Sequence, residues 1–476
     1  MKKVKVYILY TGGTIGMAPS DKNNQESPLE PKSLKDLMIY MPNLKQLPIE
    51  FGEGSFNKPL DSSDVKPQHW LQMAKMIEEV YNDYDGFVIL HGTDTMAYTA
   101  SGLSFIFENL SKPIIVTGSQ LPINAVRTDA IMNLINSVYL AGYKAFNLPL
   151  IPEVVICFAD KIIRGCRATK ISSTQWAGFD SPNFPLIGRV GEHIIVNTDI
   201  LNKPSEKNFI VNKELEENII SLTITPSLKA KQLEKLFEGF DGIILGTFGA
   251  GNVPNDKDFL NVIENATKDG KVILNTTQCI QGMVEMGLYV SSSNLLERNV
   301  VSGLDMTTEA AIAKLMWTLA TKFEDGIITQ LQINQRGEQS ENLFDLKYGK
   351  IDKSTSNSIF TSSLQVDGRF NRNRLLKSII RLSTFNVIGA KKNDIIVVNI
   401  FMNMPRVKNK TSNTENRCVH SFEFTYTGQA ITLIQDITDK AKHVIGEGDI
   451  ILSVVSPDDN IKFYFEELHL SLFSKV

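Results

Sequence analysis

Residues 84–101 read YDGFVILHGTDTMAYTAS, and three physical signals follow one another within that stretch. Residues 86–90 are a short run apolar on both faces, as a strand buried inside a parallel sheet requires. Residues 91–95 break the run with glycine, hydroxyls and an acid, and an apolar-periodic stretch then predicts a helix over 96–109. Strand, polar loop and helix in that order make half of a βαβ unit. The rhythm recurs on both sides. Strands are expected over 5–10, 114–117 and 154–158, and helices over 67–81 and 128–141. A looser stretch at 191–218 interrupts it before two further expected strands, 242–245 and 272–275. The predicted fold is α/β with mainly parallel sheets in two domains: an N-terminal domain over 1–190, a connection over 191–218 and a smaller domain over 219–340.

Past that point the pattern changes. Residues 337–358 lack apolar periodicity and end in KSTSNS at 353–358, so a linker is expected over 341–358. Cutting there should leave a folded N-terminal part. A separate β-rich module is predicted over 359–476, because alternating stretches at 395–401, 420–426, 450–455 and 461–470 read as an antiparallel sheet or sandwich. One helix is expected inside it, over 373–383. An interaction or oligomerisation role, with a protein partner, is the expectation for this module.

Composition bounds the function. A chain of 476 residues should hold two or three domains. Lys and Arg number 49 against 53 Asp and Glu, a net charge of -4, which argues against a nucleic-acid partner or a polybasic membrane binder. No apolar run approaches the roughly 18 to 20 residues of a membrane span. The opening Met1, Lys2 and Lys3 lead into a strand-like run instead of a signal-peptide core, so a cytoplasmic location is expected. Cys157, Cys166, Cys279 and Cys418 are scattered without CxxC spacing, and neither a metal site nor a disulfide framework is predicted. No cofactor is expected.

Three predicted strand ends are dense in small hydroxyl residues: TGGTIG at 11–16, HGTDT at 91–95 and TGSQ at 117–120. Ligands of open parallel sheets sit outside the carboxyl ends of the strands, where such loops converge. Gly12 and Gly13 permit a tight turn that presents Thr14. The loop lacks the lysine of a P-loop and the GxGxxG spacing, so nucleotide binding is a weak reading. A threonine hydroxyl is a poor nucleophile until its proton is drawn away. Asp94 and Lys170 are the candidates for that work, with Asp94 holding Lys170 and Lys170 taking a proton from Thr93. Taken singly, each residue has a plainer role: Thr14 as a helix N-cap, the glycines as a turn, Asp94 or Thr95 as a cap for the helix that follows, and Lys170 as a solvated charge. His91 reads as structural, and Cys166 and Cys279 as packing residues.

Taken together, the motifs resemble the bacterial L-asparaginase family, in its cytoplasmic type I branch. The resemblance rests on YTGGTIGM at 10–17, DSSD at 61–64, the opening stretch at 84–101, KPIIVTGSQ at 112–120 and RGCRATK at 164–170. It implies two α/β domains, active sites completed between subunits of a homodimer or homotetramer, and cofactor-free hydrolysis of L-asparagine to L-aspartate and ammonia through an acyl-enzyme. By the resemblance Thr14 is the nucleophile, Thr93, Asp94 and Lys170 support it, and Ser62 with Asp94 binds the substrate's α-carboxylate and α-amino groups. Ser63 lies beside them.

Two departures stand out. The family carries a lid tyrosine a little after the nucleophile, whereas residues 20–32 read SDKNNQESPLEPK and have none. Type I enzymes also have an allosteric asparagine site; its positions match Thr169 and Cys279, but its arginine falls on Gly246, which offers no cation for a carboxylate. Two alternatives to the asparaginase stay open on these grounds. One is an asparagine sensor signalling through the C-terminal module. The other is the amidase subunit of a tRNA-dependent amidotransferase, which normally has an additional N-terminal domain, while this chain starts at the first strand.

Overall fold

The computed structural model describes residues 3–19, 29–31, 39–40, 42–286, 294–404, 406–446 and 448–476. The N-terminal domain is built on an eight-stranded sheet in the order Ile194–Val196, Gly188–Val190, Lys161–Arg164, Val154–Phe158, Ile114–Thr117, Gly86–Leu90, Val4–Gly12 and Ile49–Leu60. Its last five strands run parallel. Their apolar runs are explained by burial on both faces. Leu9, Phe87, Ile89 and Val116 pack on one side against helices Pro67–Val80 and Met96–Ile106, while Val6, Ile8, Val88 and Ile115 pack on the other against Ala130–Ala141. Parallel strands stack their carboxyl ends along one edge. The loops after Gly12, Leu60, Leu90 and Thr117 therefore open on the same side.

Part of the stretch expected as a connection belongs to this sheet: Ile194–Val196 pairs with Gly188–Val190. The smaller domain holds a parallel sheet of Ile219–Thr223, Gly242–Thr247, Val272–Thr277 and Val301–Ser302. Helix Thr308–Ala320 joins it to the first domain, with Trp317 stacked on Phe105 at 5.7 Å. On that helix Lys314, fully buried, pairs with the equally buried Glu338 at 2.6 Å and donates to the Leu331 and Ile333 carbonyls and to Gln339. This lysine clasps the chain as it leaves the domain.

The C-terminal region is two antiparallel sheets with one apolar core between them. The first has the order Glu341–Lys347, Glu467–Lys475, Leu375–Ile388, Ile431–Asp436; the second, Ile359–Gln365, Asp449–Val455, Ile395–Met402, Cys418–Thr425. Two expectations need correction here. Residues 373–383, expected as a helix, lie mostly in the strand Leu375–Ile388, where the apolar residues fill both faces of an inner strand. The expected linker over 341–358 opens with the strand Glu341–Lys347, paired along its whole length with the final strand. A cut at 353–358 would leave that strand without its partner, so it is not the clean boundary expected.

The first sheet of this region docks on the smaller domain. Leu343, Ile379 and Phe473 bury against Leu304 and Met283, Lys377 faces Glu285 at 3.7 Å, and Arg381 faces Glu297 at 3.7 Å. Among the described residues, no helix is long and apolar enough to cross a membrane, and no group of three or more His, Cys, Asp or Glu is placed to hold a metal.

Candidate active site

The site forms where four strand-end loops press together. Gly13 has φ 85°, and a Cβ there would lie 2.3 Å from the Gly92 nitrogen. Only glycine fits both the conformation and the contact. Gly92 in turn has no room for a side chain, because a Cβ would meet the Ser62 hydroxyl at 2.5 Å. This packing brings the turn Thr14–Gly16, the loop 61–64 and the loop 91–95 into one cluster, with Thr14 half-buried at its edge.

Lys170 is the hub on the far wall. Its Nζ donates to Thr93 Oγ1 at 3.0 Å and to Asp94 Oδ1 at 2.6 Å. Thr93 is buried and Lys170 mostly so, whereas the Asp94 side chain is 63% exposed and turns one carboxylate oxygen to the opening. Ser62, buried, accepts from the Asp94 backbone N–H at 3.2 Å, and its carbonyl accepts from Thr95 Oγ1 at 2.7 Å. Thr95 spends its hydroxyl on that contact and does not cap the helix that follows. Ser63 departs from the group. It is exposed, and its hydroxyl donates to Asp61 at 2.9 Å.

Thr93, Asp94, Lys170 and Ser62 are thus bonded together, and the Gly13–Gly92 contact sets Thr14 beside them. His91 underlies the loop. Burial pushes its ring down to about 4, so it is neutral near pH 7, and it bridges the Gly92 carbonyl at 2.7 Å and Thr99 Oγ1 at 2.9 Å. The Cys166 thiol is pushed up to about 12 by burial and is no nucleophile. The stretch 20–32, where a lid tyrosine is absent, lies outside the described residues except for 29–31.

Thr169, Gly246 and Cys279 line a cavity of 370 Å³. Thr169 Oγ1 donates to the buried Glu309 carboxylate at 2.8 Å, and burial raises that carboxyl above the usual range. No lysine or arginine is among the cavity's described lining residues. A Cβ at Gly246 would have only ordinary contacts, the nearest at 3.4 Å, so crowding does not dictate glycine there.

The sequence reading missed a buried ion pair three residues before Lys170 in the chain. Arg167, buried, donates to Asp305 Oδ2 at 2.8 Å and to the Gly337 carbonyl at 2.6 Å. Arg167 stood inside the RGCRATK motif, but Asp305, 138 positions further on, gave no signal.

Comparison with known proteins gives the family. Residues 5–202 match the family described as Asparaginase, N-terminal, and residues 218–331 the Glutaminase/Asparaginase C-terminal domain. The chain belongs to the asparaginase family. It is 39% identical to L-asparaginase 1 of Escherichia coli K12 over 346 residues, 71% of this chain and 98% of that protein. The crystal structure of L-asparaginase I from Vibrio cholerae superposes with a TM-score of 0.63 at 36% identity, covering 71% of this chain and 99% of that one. A glutamyl-tRNA(Gln) amidotransferase component of Pyrococcus abyssi is 30% identical over 70% of this chain and 76% of that protein. The two family matches end at residue 331, so the C-terminal β sheets lie beyond the asparaginase part.

Proposed function

We propose that this asparaginase-family enzyme hydrolyses L-asparagine to L-aspartate and ammonia, with Thr14 as nucleophile. The observation that carries the reading is Lys170 bonded to Thr93 and Asp94, on the loop whose Gly92 packs against Gly13, next to Thr14. Thr14 Oγ forms a bond to the side-chain amide carbon, the C–N bond breaks, and ammonia leaves with the proton given up by the hydroxyl. Water then attacks the ester, releasing aspartate and restoring the Thr14 hydroxyl. Because Thr93 accepts from Lys170, its own O–H is available to the reacting groups, and Lys170 with Asp94 carries the proton between steps. Backbone N–H groups near Thr93 would meet the oxyanion, each donor contributing about 2.7–4 kcal/mol.

Ser62 and the outward Asp94 oxygen supply the acceptor and donor set for an α-amino acid: the hydroxyl for its carboxylate, the carboxylate for its ammonium. Ser63, tied to Asp61, borders this subsite. No cofactor enters the scheme. Assembly as a homodimer or homotetramer, a cytoplasmic location and a protein partner for the C-terminal sheets belong to the same proposal. At Thr169, Gly246 and Cys279 the described lining residues offer a carboxylate effector no lysine or arginine, so initial rates should follow a hyperbola in asparagine.

The amidotransferase reading is less well supported, since identity to the E. coli L-asparaginase is higher and covers nearly all of that protein. The sensor reading keeps one specific support, the missing tyrosine at 20–32. Ammonia release from asparagine by the purified protein separates the two. Turnover supports the hydrolase; zero turnover with asparagine still raising the melting temperature would replace it with the sensor.

A further inference from the structure

Asp305 sits where three parts of the molecule meet. Its Oδ2 accepts from Arg167 Nη1 at 2.8 Å and from the Ser340 hydroxyl at 2.5 Å, while its Oδ1 accepts from the Ser340 backbone N–H at 2.9 Å. Arg167 closes the ring by donating to Ser340 Oγ at 3.1 Å. The Asp305 carbonyl also accepts from Asn183 at 3.1 Å. Arg167 is almost fully buried and Asp305 largely so, and the guanidinium stacks over Phe184 at 4.8 Å. A ring of charge-assisted bonds in a dry setting holds its members to a single geometry.

Each member leads somewhere different. Arg167 lies three residues before Lys170, a span of about 10 Å when extended, and the intervening Ala168 is buried. Asp305 lies between Leu304, which packs under the C-terminal sheet, and Met306, which lines the same cavity as Thr169. Ser340 directly precedes the strand Glu341–Lys347, which is paired along its length with the final strand of the chain. Any shift of the C-terminal sheet on the smaller domain therefore pulls on Ser340 and, through Asp305, on the segment that ends at Lys170.

We propose that Asp305 is a positioning residue for Lys170, and that Ser340 makes the seating of the C-terminal sheets a determinant of how well Lys170 reaches Thr93 and Asp94. This rests on the asparaginase reading for its effect on rate, but not for its effect on the backbone. Lys170 must lie within hydrogen-bond reach of two partners at once, and a displacement of about 1 Å at such a group can lower a rate roughly 10²-fold. The substrate's own contacts, Ser62 and Asp94, lie on other loops, so the loss should fall on kcat and leave KM nearly unchanged.

The test uses the full-length chain with three variants: D305N, S340A, and K350A as a control that removes the exposed Lys350–Asp352 pair of the C-terminal region, which belongs to neither the ring nor the docking contacts. Two quantities are read, kcat and KM for asparagine, and amide hydrogen exchange at residues 168–170. The expected result is a fall in kcat of about 10²-fold for D305N and about 3- to 10-fold for S340A, with KM within about twofold. Exchange at 168–170 should quicken in both while the strand Gly86–Leu90 stays protected, and K350A should resemble the parent. Should D305N not fold, S340A decides alone, since it keeps the Arg167–Asp305 pair. Unchanged kcat and exchange in S340A overturns the proposal, as does a loss confined to KM or a uniform rise in exchange. If the parent chain turns over no asparagine, the catalytic reading fails separately, and exchange at 168–170 alone upholds or overturns the coupling.

Discussion

Two lysine–carboxylate pairs of the same length do opposite work in this protein. Lys170 and Asp94 meet at 2.6 Å with side chains 20% and 63% exposed; Lys314 and Glu338 meet at 2.6 Å with both at 0%. The buried pair has no hydrogen-bonding capacity to spare. Lys314 reaches two carbonyls and Gln339, and Glu338 accepts from the backbone N–H groups of Gln335 and Arg336. Burial alone would raise the Glu338 carboxyl, but Lys314 and the backbone N–H of Arg336 outweigh it and hold it below the usual range. The other pair instead leaves the Asp94 carboxylate 63% exposed. Distance does not separate a clasp from a catalytic relay; unused hydrogen-bonding capacity facing solvent does.

The comparison breaks most visibly in kinetics. K170M should lower turnover by about 10³-fold or more, since members of one catalytic unit fail together. Its melting temperature should move little, because an ion pair whose carboxylate is 63% exposed contributes about 0–1 kcal/mol. A stability loss as large as its rate loss would place Lys170 among the clasps.

K314M should do the reverse. It strands a buried carboxylate, which typically costs about 3–5 kcal/mol, and the melting temperature measured by calorimetry should drop by several degrees. Activity of the protein still folded should stay close to that of the parent. Adding E338Q should recover part of the loss, because the unpaired charge goes with it. Failure of K314M to destabilise the protein would mean that the clasp is dispensable.

A third charged cluster sharpens the picture with pH. Burial pulls His469 down, but the carboxylates of Asp345 and Glu467, at 3.5 and 2.6 Å, outweigh it and raise the ring above its ordinary value. A group raised on folding stabilises the protein fully below its unfolded value, about 6.5, and that stabilisation is lost as pH rises through the folded value. Asp345 and Glu467 are shifted down despite burial, through the hydrogen bonds to His469, so their contribution is lost as pH falls through their lowered values. Melting temperature should therefore fall on the alkaline side of about 6.5, and H469Q should flatten that slope. An unchanged slope in H469Q would assign the dependence to other groups.

The sequence made the proposed catalytic half of this comparison legible and the structural half invisible, for a physical reason. Strands such as Gly86–Leu90 announce themselves by short apolar runs, and Thr14, Thr93 and Lys170 sit in dense local motifs. Lys314 looks like any helix lysine until Glu338, 24 positions on, is folded against it. Asp305 owes its role to Arg167 and Ser340, both remote in the chain. The C-terminal region misled for the same reason. Glu341–Lys347 takes its register from a strand more than a hundred residues later, and Leu375–Ile388 mimics a helix because an inner strand can be apolar on both faces.

The central claim, that the strand-end cluster presents Thr14 as a nucleophile, is tested most directly by T14A. Ammonia release should fall on the order of 10³- to 10⁶-fold, while asparagine still raises the melting temperature, because Ser62 and Asp94 remain to hold it. Retention of more than about a tenth of the parent's turnover, far above that range, would contradict the account and move the nucleophile elsewhere.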